Sequence, residues 1–218
     1  MYVPKHFEVP DFDEIVQFVS RARSADLVTI NANGTPEATL MPCTWDLTAN
    51  SKSEFGSLVM HMARANQQWK SVGVGAKSLA IISGPQAYVS PSNYEAKMSD
   101  HKVVPTWNYQ SVHLTGTVEV SEDVEVLRKI VTDLTDFHEA ERESSWHVAE
   151  ADPRYMEAQL KGIVAVILRV EKVEAKYKLS QNRTIADRVR VISDLESTDK
   201  SSDRDIAVAM EKTLQAEE

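Results

Sequence analysis

A single cysteine stands among 218 residues, so Cys43 has no partner for an internal disulfide and no thiolate cluster for a metal can form. Its expected state is a small buried side chain. No apolar run reaches the roughly 18 residues of a membrane-spanning helix. The opening residues, "MYVPKHFEVP", have neither a basic start nor an apolar stretch. A secretory signal is therefore not expected, and the cytoplasm is the default setting. No G-x-G-x-x-G follows a strand candidate, which argues against a Rossmann site, and neither a P-loop nor a serine nucleophile elbow occurs. "HEAER" at His138 lacks the second histidine of a zinc-protease helix, and the other histidines are scattered without metal-ligand spacing.

What is present suits one sizeable domain, or one domain with a helical extension. Hydrophobic residues make up 42% of the chain, enough for a packed core. The net charge of −9 is unevenly spread. Residues 194–218 hold eight acids against three bases, whereas 61–110 hold five bases against two acids and 171–190 hold six against three. The protein is thus acidic mainly through its tail, with two locally basic segments. A nucleic-acid binder usually has a broader basic face. Two small basic patches suit a small anion, or are ordinary surface charge.

Periodicity predicts an amphipathic helix in "DFDEIVQFVSRAR", with Asp11 as cap and Ile15, Phe18 and Val19 on one face. "LVTI", "NANG" and "PEATLMPCTW" read as a hairpin in which Asn33 and Gly34 take positive φ. "SLVMHMA" is a strand. A helix follows from about Arg64 or Ala65, loosening at Gly73 and Gly75. "LAIISGPQAYVS" is a strand interrupted near Gly84-Pro85. "VPTWNYQSVHLTGTVEV" is a long strand in which Gly116 marks a bulge. Ser121 caps the clearest helix, with a stripe of Val124, Leu127, Val131, Leu134 and His138 and with Ile130 beside it. "GIVAVILRVEKVEAKYKL" is a strand covered on both faces, and two helices end the chain. About six strands with few intervening helices predict a mainly β, α+β antiparallel barrel. The expected domains are a barrel over 1–180 and a helical extension over 181–218, acidic at its end.

Three constellations carry possible chemistry. In "HMARANQQW" a helix starting at Arg64 offers free N–H groups to an anion, Arg64 adds a bidentate fork, and Asn66 adds a neutral donor. His61 sits at the strand end, and Trp69 packs one turn on. The plainer alternative is a solvated Arg64, a half-buried His61 and a core Trp69. "KLSQNR" concentrates Lys178, Ser180, Gln181, Asn182 and Arg183, where a helix cap needs only one of them. "VPTWNY" and "YVSPSNY" set Trp107 and tyrosines beside Asn108 and serines, fit either to stack on a flat heterocycle or to serve as sheet aromatics.

Together with "MYVPKHF" and "GPQAYVSPSNY", these motifs in this order resemble the PaiB family of FMN-binding negative transcriptional regulators. The resemblance runs from Met1 to about Leu195. It departs at Gln67, where the family usually has Pro, and at Asn93, usually Trp. It implies an FMN-binding split β-barrel that forms a homodimer with the flavin at the interface. It also implies that the corner His61, Met62, Ala63, Arg64, Asn66 holds the flavin phosphate, with Trp69 behind it. Met60, Met62 and Trp107 are expected to line the ring's slot, and Asn108 and Gln181 to bond its polar edge. DNA binding is expected to be weak: the C-terminal helices are acidic, and "TIADRVRV" is the one basic helical face. The rival readings are a flavin-dependent oxidoreductase related to pyridoxamine-phosphate oxidases, and a haem-binding or haem-degrading barrel using His61, His113 and His147.

Overall fold

Alternation of buried and exposed residues places the strands. The computed structural model describes residues 1–48, 53–72, 75–99 and 101–216. Its strands are β1 (Ser24–Ile30), β2 (Pro36–Asp46), β3 (Ser57–Ala63), β4 (Lys77–Val89), β5 (Thr106–Ser121) and β6 (Ile163–Lys178). They are hydrogen-bonded in the order β1-β2-β3-β6-β5-β4, which closes into a barrel. The helices are α1 (Phe12–Ala22), α2 (Gln68–Ser71), α3 (Ala96–Ser99), α4 (Val124–Glu139), α5 (Pro153–Leu160), α6 (Ile185–Glu196) and α7 (Ser201–Gln215). Among the described residues, no helix is long and apolar enough to cross a membrane.

The chain divides into two compact units. One comprises Met1–Ile15, Ser83–Val112 and Glu174–Glu218; the other comprises Val16–Ile82 and His113–Val173. In the second unit β1 and β2 form the expected hairpin, in register from Ser24↔Pro42 to Ile30↔Pro36. Only Gly34 of the expected pair has positive φ, at 85°. Asn31 and Asn33 both organise the turn: Asn31 Oδ1 accepts from Thr35 N at 2.9 Å and Asn33 N at 3.2 Å, and Asn33 Oδ1 accepts from Thr35 N at 3.0 Å. β3 pairs with β6 over its whole length, from Ser57↔Arg169 to Ala63↔Ile163.

The double cover expected for β6 is found, and one chain supplies it. Val164, Val166, Leu168 and Val170 are buried on one face. On the other, Ala165 packs with Leu127, Ile130 and Leu134 of α4 and Leu160 of α5, flanked by Ile163 and Ile167. Each buried valine, leucine or isoleucine here contributes about 1.5–3 kcal/mol. The α4 stripe is narrower than expected: Val124, the first residue of the helix, is 43% exposed. The cap is Asp123, not Ser121. Asp123 Oδ1 accepts from Glu125 N at 2.8 Å and Val126 N at 3.1 Å, while Ser121 still belongs to β5.

Two expected interruptions are absent. β4 runs unbroken through Gly84-Pro85, since proline's fixed φ is compatible with an extended chain and forfeits one donor only. β5 has no break at Gly116 either. A Cβ there would stand 1.8 Å from the Arg169 carbonyl oxygen, so the glycine marks a close approach of β5 to β6.

In the first unit the core gathers Phe7, Val89, Tyr94, Tyr177 and Leu179 with Val191 and Leu195 of α6 and Ile206 and Met210 of α7. Ser202 pins α7 to β4, accepting from Gln86 N at 2.9 Å and donating to Gln86 O at 2.6 Å.

Candidate functional site

The opening corner is built differently from the expectation. β3 ends at Ala63, and the following helix is only the four residues Gln68–Ser71. The helix start expected at Arg64 is therefore absent. Its amides are already used: Arg64 N donates to Gly162 O at 2.8 Å, and Asn66 N to Ala63 O at 2.9 Å. Gln68 N donates to Asn66 Oδ1 at 2.9 Å. So brief a helix brings little dipole to the site, and positive charge here must come from Arg64 itself.

Arg64 is held in one pose. Its Nε donates to Lys161 O at 2.8 Å and Nη2 to Ile163 O at 3.3 Å, leaving Nη1 on the Glu122 carboxylate. Trp69 braces the turn, donating from Nε1 to Arg64 O at 3.0 Å. Asn66 Nδ2 donates to Thr39 Oγ1 at 2.9 Å. His61 lies on β3 opposite Ala165; burial holds its imidazole below the ordinary range, and its buried Nδ1 has no hydrogen-bond partner among the described residues. Met60 and Met62 are buried, whereas Ala63 is exposed.

Two residues that matter here were not singled out from sequence. Gln68, 3% exposed, donates from Nε2 to Leu27 O at 3.0 Å and Thr29 Oγ1 at 3.1 Å, tying α2 to β1. An apolar-spacing argument passes over a buried amide. Glu122 escaped notice because it lies 58 positions from the arginine it meets.

The second cluster lies in the first unit, where the structure does bring the two motifs together. Lys178 Nζ donates to Trp107 O at 2.6 Å and also to Thr106 Oγ1. Asn108, fully buried, donates from Nδ2 to Ser180 Oγ at 3.0 Å and contacts Met210 Sδ at 3.3 Å. Ser180 is held at φ 64°, a left-handed conformation costly for a non-glycine residue. Gln181 is engaged locally, its Nε2 donating to Tyr177 O at 2.7 Å and its Oε1 accepting from Leu179 N at 2.8 Å. Asn182 is exposed. The Arg183 guanidinium lies 4.4 Å from the centre of the Tyr94 ring. Trp107 is 48% exposed, edge-on to Tyr88 at 6.3 Å, and donates to Gln86 Oε1 at 2.9 Å.

This cluster is electrostatically unbalanced. Burial, then the charges of Lys176 and Arg183, push the Lys178 amine below its usual value. Lys176, also unforeseen, faces the rings of Tyr109, Tyr2 and Phe7 at 5.4, 5.6 and 5.9 Å. None of the three cations forms an ion pair with a carboxylate among the described residues. Cys43 takes no part: burial pushes its thiol up to about 12. The described residues contain no group of His, Cys, Asp and Glu able to hold a metal. Taken separately, the Arg64 corner offers an oriented guanidinium to an anion, and the second cluster offers cations beside exposed aromatics.

Comparison with known proteins gives the family. The family described as "Putative FMN-binding domain" matches residues 1–172. The protein named "Protease synthase and sporulation protein PAI 2" of Bacillus subtilis is 34% identical over 214 residues, covering 98% of both chains. An uncharacterised protein of Aspergillus fumigatus is 31% identical over 180 residues, 68% of this chain and 69% of that one. Among solved structures, the FAD and haem binding protein from Mycobacterium smegmatis superposes with a TM-score of 0.58 at 15% identity, over 84% of this chain and 78% of its own. The flavocytochrome Anf3 from Azotobacter vinelandii gives 0.56 at 15% identity, over 84% and 73%. At such identity these two speak to the fold alone, and the fold is the expected mainly β, α+β split barrel.

Proposed function

Because the chain belongs to the family described as "Putative FMN-binding domain", we propose that it binds FMN and holds the phosphate at the β3–α2 corner on Arg64. The observation that supports this is the pose of Arg64. Two backbone carbonyls orient its guanidinium, and the remaining donor already meets an oxyanion, the Glu122 carboxylate. A phosphate takes that carboxylate's place, with Asn66 and the neutral His61 beside it and Trp69 bracing the turn. Trp107 and the 178–183 cluster are a separate candidate set of flavin contacts. When bound, FMN supplies one- or two-electron chemistry.

A homodimer in the cytoplasm is part of the same reading. So is a regulatory role, in line with the Bacillus subtilis relative, which is named for protease synthesis and sporulation. Direct DNA reading finds little support. In α6, Arg188 is buried and bonds Thr213 Oγ1 at 2.7 Å, while Arg190 meets Glu95 and Asp187 at 3.1 Å. The regulatory effect is then indirect, exerted through the state of the bound flavin.

The test is to titrate FMN and riboflavin into wild type and Arg64→Ala, following flavin fluorescence. A charge-assisted pair is worth roughly 1.5–3 kcal/mol, so FMN weakens by about 10- to 150-fold while riboflavin loses little. Equal losses for both flavins, or none, remove Arg64. A selective FMN loss in Lys178→Ala or Arg183→Ala instead moves the phosphate to the second cluster.

A further inference from the structure

A cleft of about 530 Å³ opens between α4 and the segment 147–156, and none of its lining residues is assigned to the flavin. Its size falls within the range of small-molecule sites, roughly 300–1,000 Å³. Val148, Ala149, Ala151, Pro153 and Met156 form an apolar side. Arg128, Thr132 and Asp136, spaced four residues apart on one face of α4, form the polar side together with His147.

The far wall is ordered before any ligand arrives. His147 N donates to Glu150 Oε1 at 2.8 Å, and Asp152 Oδ1 accepts from Tyr155 N at 2.9 Å, capping α5. Charge then selects the ligand. His147 Nδ1 and Asp136 Oδ1 satisfy each other at 3.1 Å. Arg128 is half-buried and meets no carboxylate among the described residues. The charge left unmatched at the polar end is thus a single guanidinium, whose planar fork fits a carboxylate through two parallel bonds. The apolar side has no use for a ligand without a hydrocarbon part.

We propose that this cleft binds a small monocarboxylate with a short apolar tail, anchored by Arg128. The proposal is independent of where the flavin phosphate lies. Its test uses the full chain, isotope-labelled for amide spectra, with sodium hexanoate as the probe. Hexanoate shifts the Thr132, Ala149 and Ala151 amides and saturates with a Kd on the order of 1 mM. Acetate, hexanol and inorganic phosphate bind at least about 10-fold more weakly, as does hexanoate to Arg128→Gln. Ala149→Phe fills the apolar side without touching Arg128 and weakens hexanoate while sparing acetate. Hexanol or phosphate matching hexanoate overturns the proposal. So does unaltered hexanoate binding in Arg128→Gln or Ala149→Phe, or shifts scattered away from the cleft.

Discussion

Arg64 and Glu122 meet on the surface, with side chains 38% and 54% exposed, so their attraction is weak, about 0–1 kcal/mol. A phosphate dianion on the same guanidinium is worth more. If Arg64 holds the phosphate as proposed, Glu122 is a displaceable competitor. Glu122→Gln removes its charge and tightens FMN by up to about 5-fold, leaving riboflavin unchanged. Paired flavin titrations read the difference, and looser FMN binding in the variant contradicts a competing role. Ser180 shows the opposite economy of contact: buried and strained at φ 64°, it is held by Asn108 across the core rather than offered to solvent. Sequence spacing marked Ser180, Asn108 and Arg64 alike as polar groups near turns. It had no means of telling which of them the core would enclose.

Among the elements, β5 and β6 carry the tightest constraint. Alanine at Gly116 drives its Cβ into the Arg169 carbonyl, a backbone atom that cannot step aside. Gly116→Ala costs at least about 3 kcal/mol in urea unfolding, or prevents folding. Gly34→Ala meets open space at φ 85° and costs only about 1 kcal/mol. Comparable losses at the two sites contradict the close-approach reading. The hairpin, α1, α4 and the two terminal helices were legible because each repeats a local pattern of turn residues or apolar spacing. The length of α2 was not. "RANQQWKSV" has helical character, but Asn66 and Gln68 are drawn into bonds with Thr39, Leu27 and Thr29, and these tertiary partners set where the turn ends.

Over the whole molecule, the net charge of −9 and the engagement of the α6 arginines oppose a polyanion. Sedimentation of the full chain at micromolar concentration is expected to show a dimer. Adding a DNA duplex leaves it unchanged at about 0.15 M salt and shifts it only at low salt, as expected where counterion release dominates. A duplex complex stable at the higher salt, or a monomer, goes against this assembly. α4 and α5 cover the apolar outer face of β6 within one chain, so that face offers no surface to a second copy.

The strand and helix periods and the turn at Gly34 were determined by the sequence alone, because each depends on neighbours a few residues away. The barrel's closure, the meeting of Lys178 with Trp107, the Glu122 carboxylate on Arg64 and the cleft beside Arg128 were decided by tertiary structure. Each joins groups far apart along the chain. Whether a polar side chain ends buried, paired or unmatched depends on the total charge and packing that distant strands bring around it, and no local pattern records that sum.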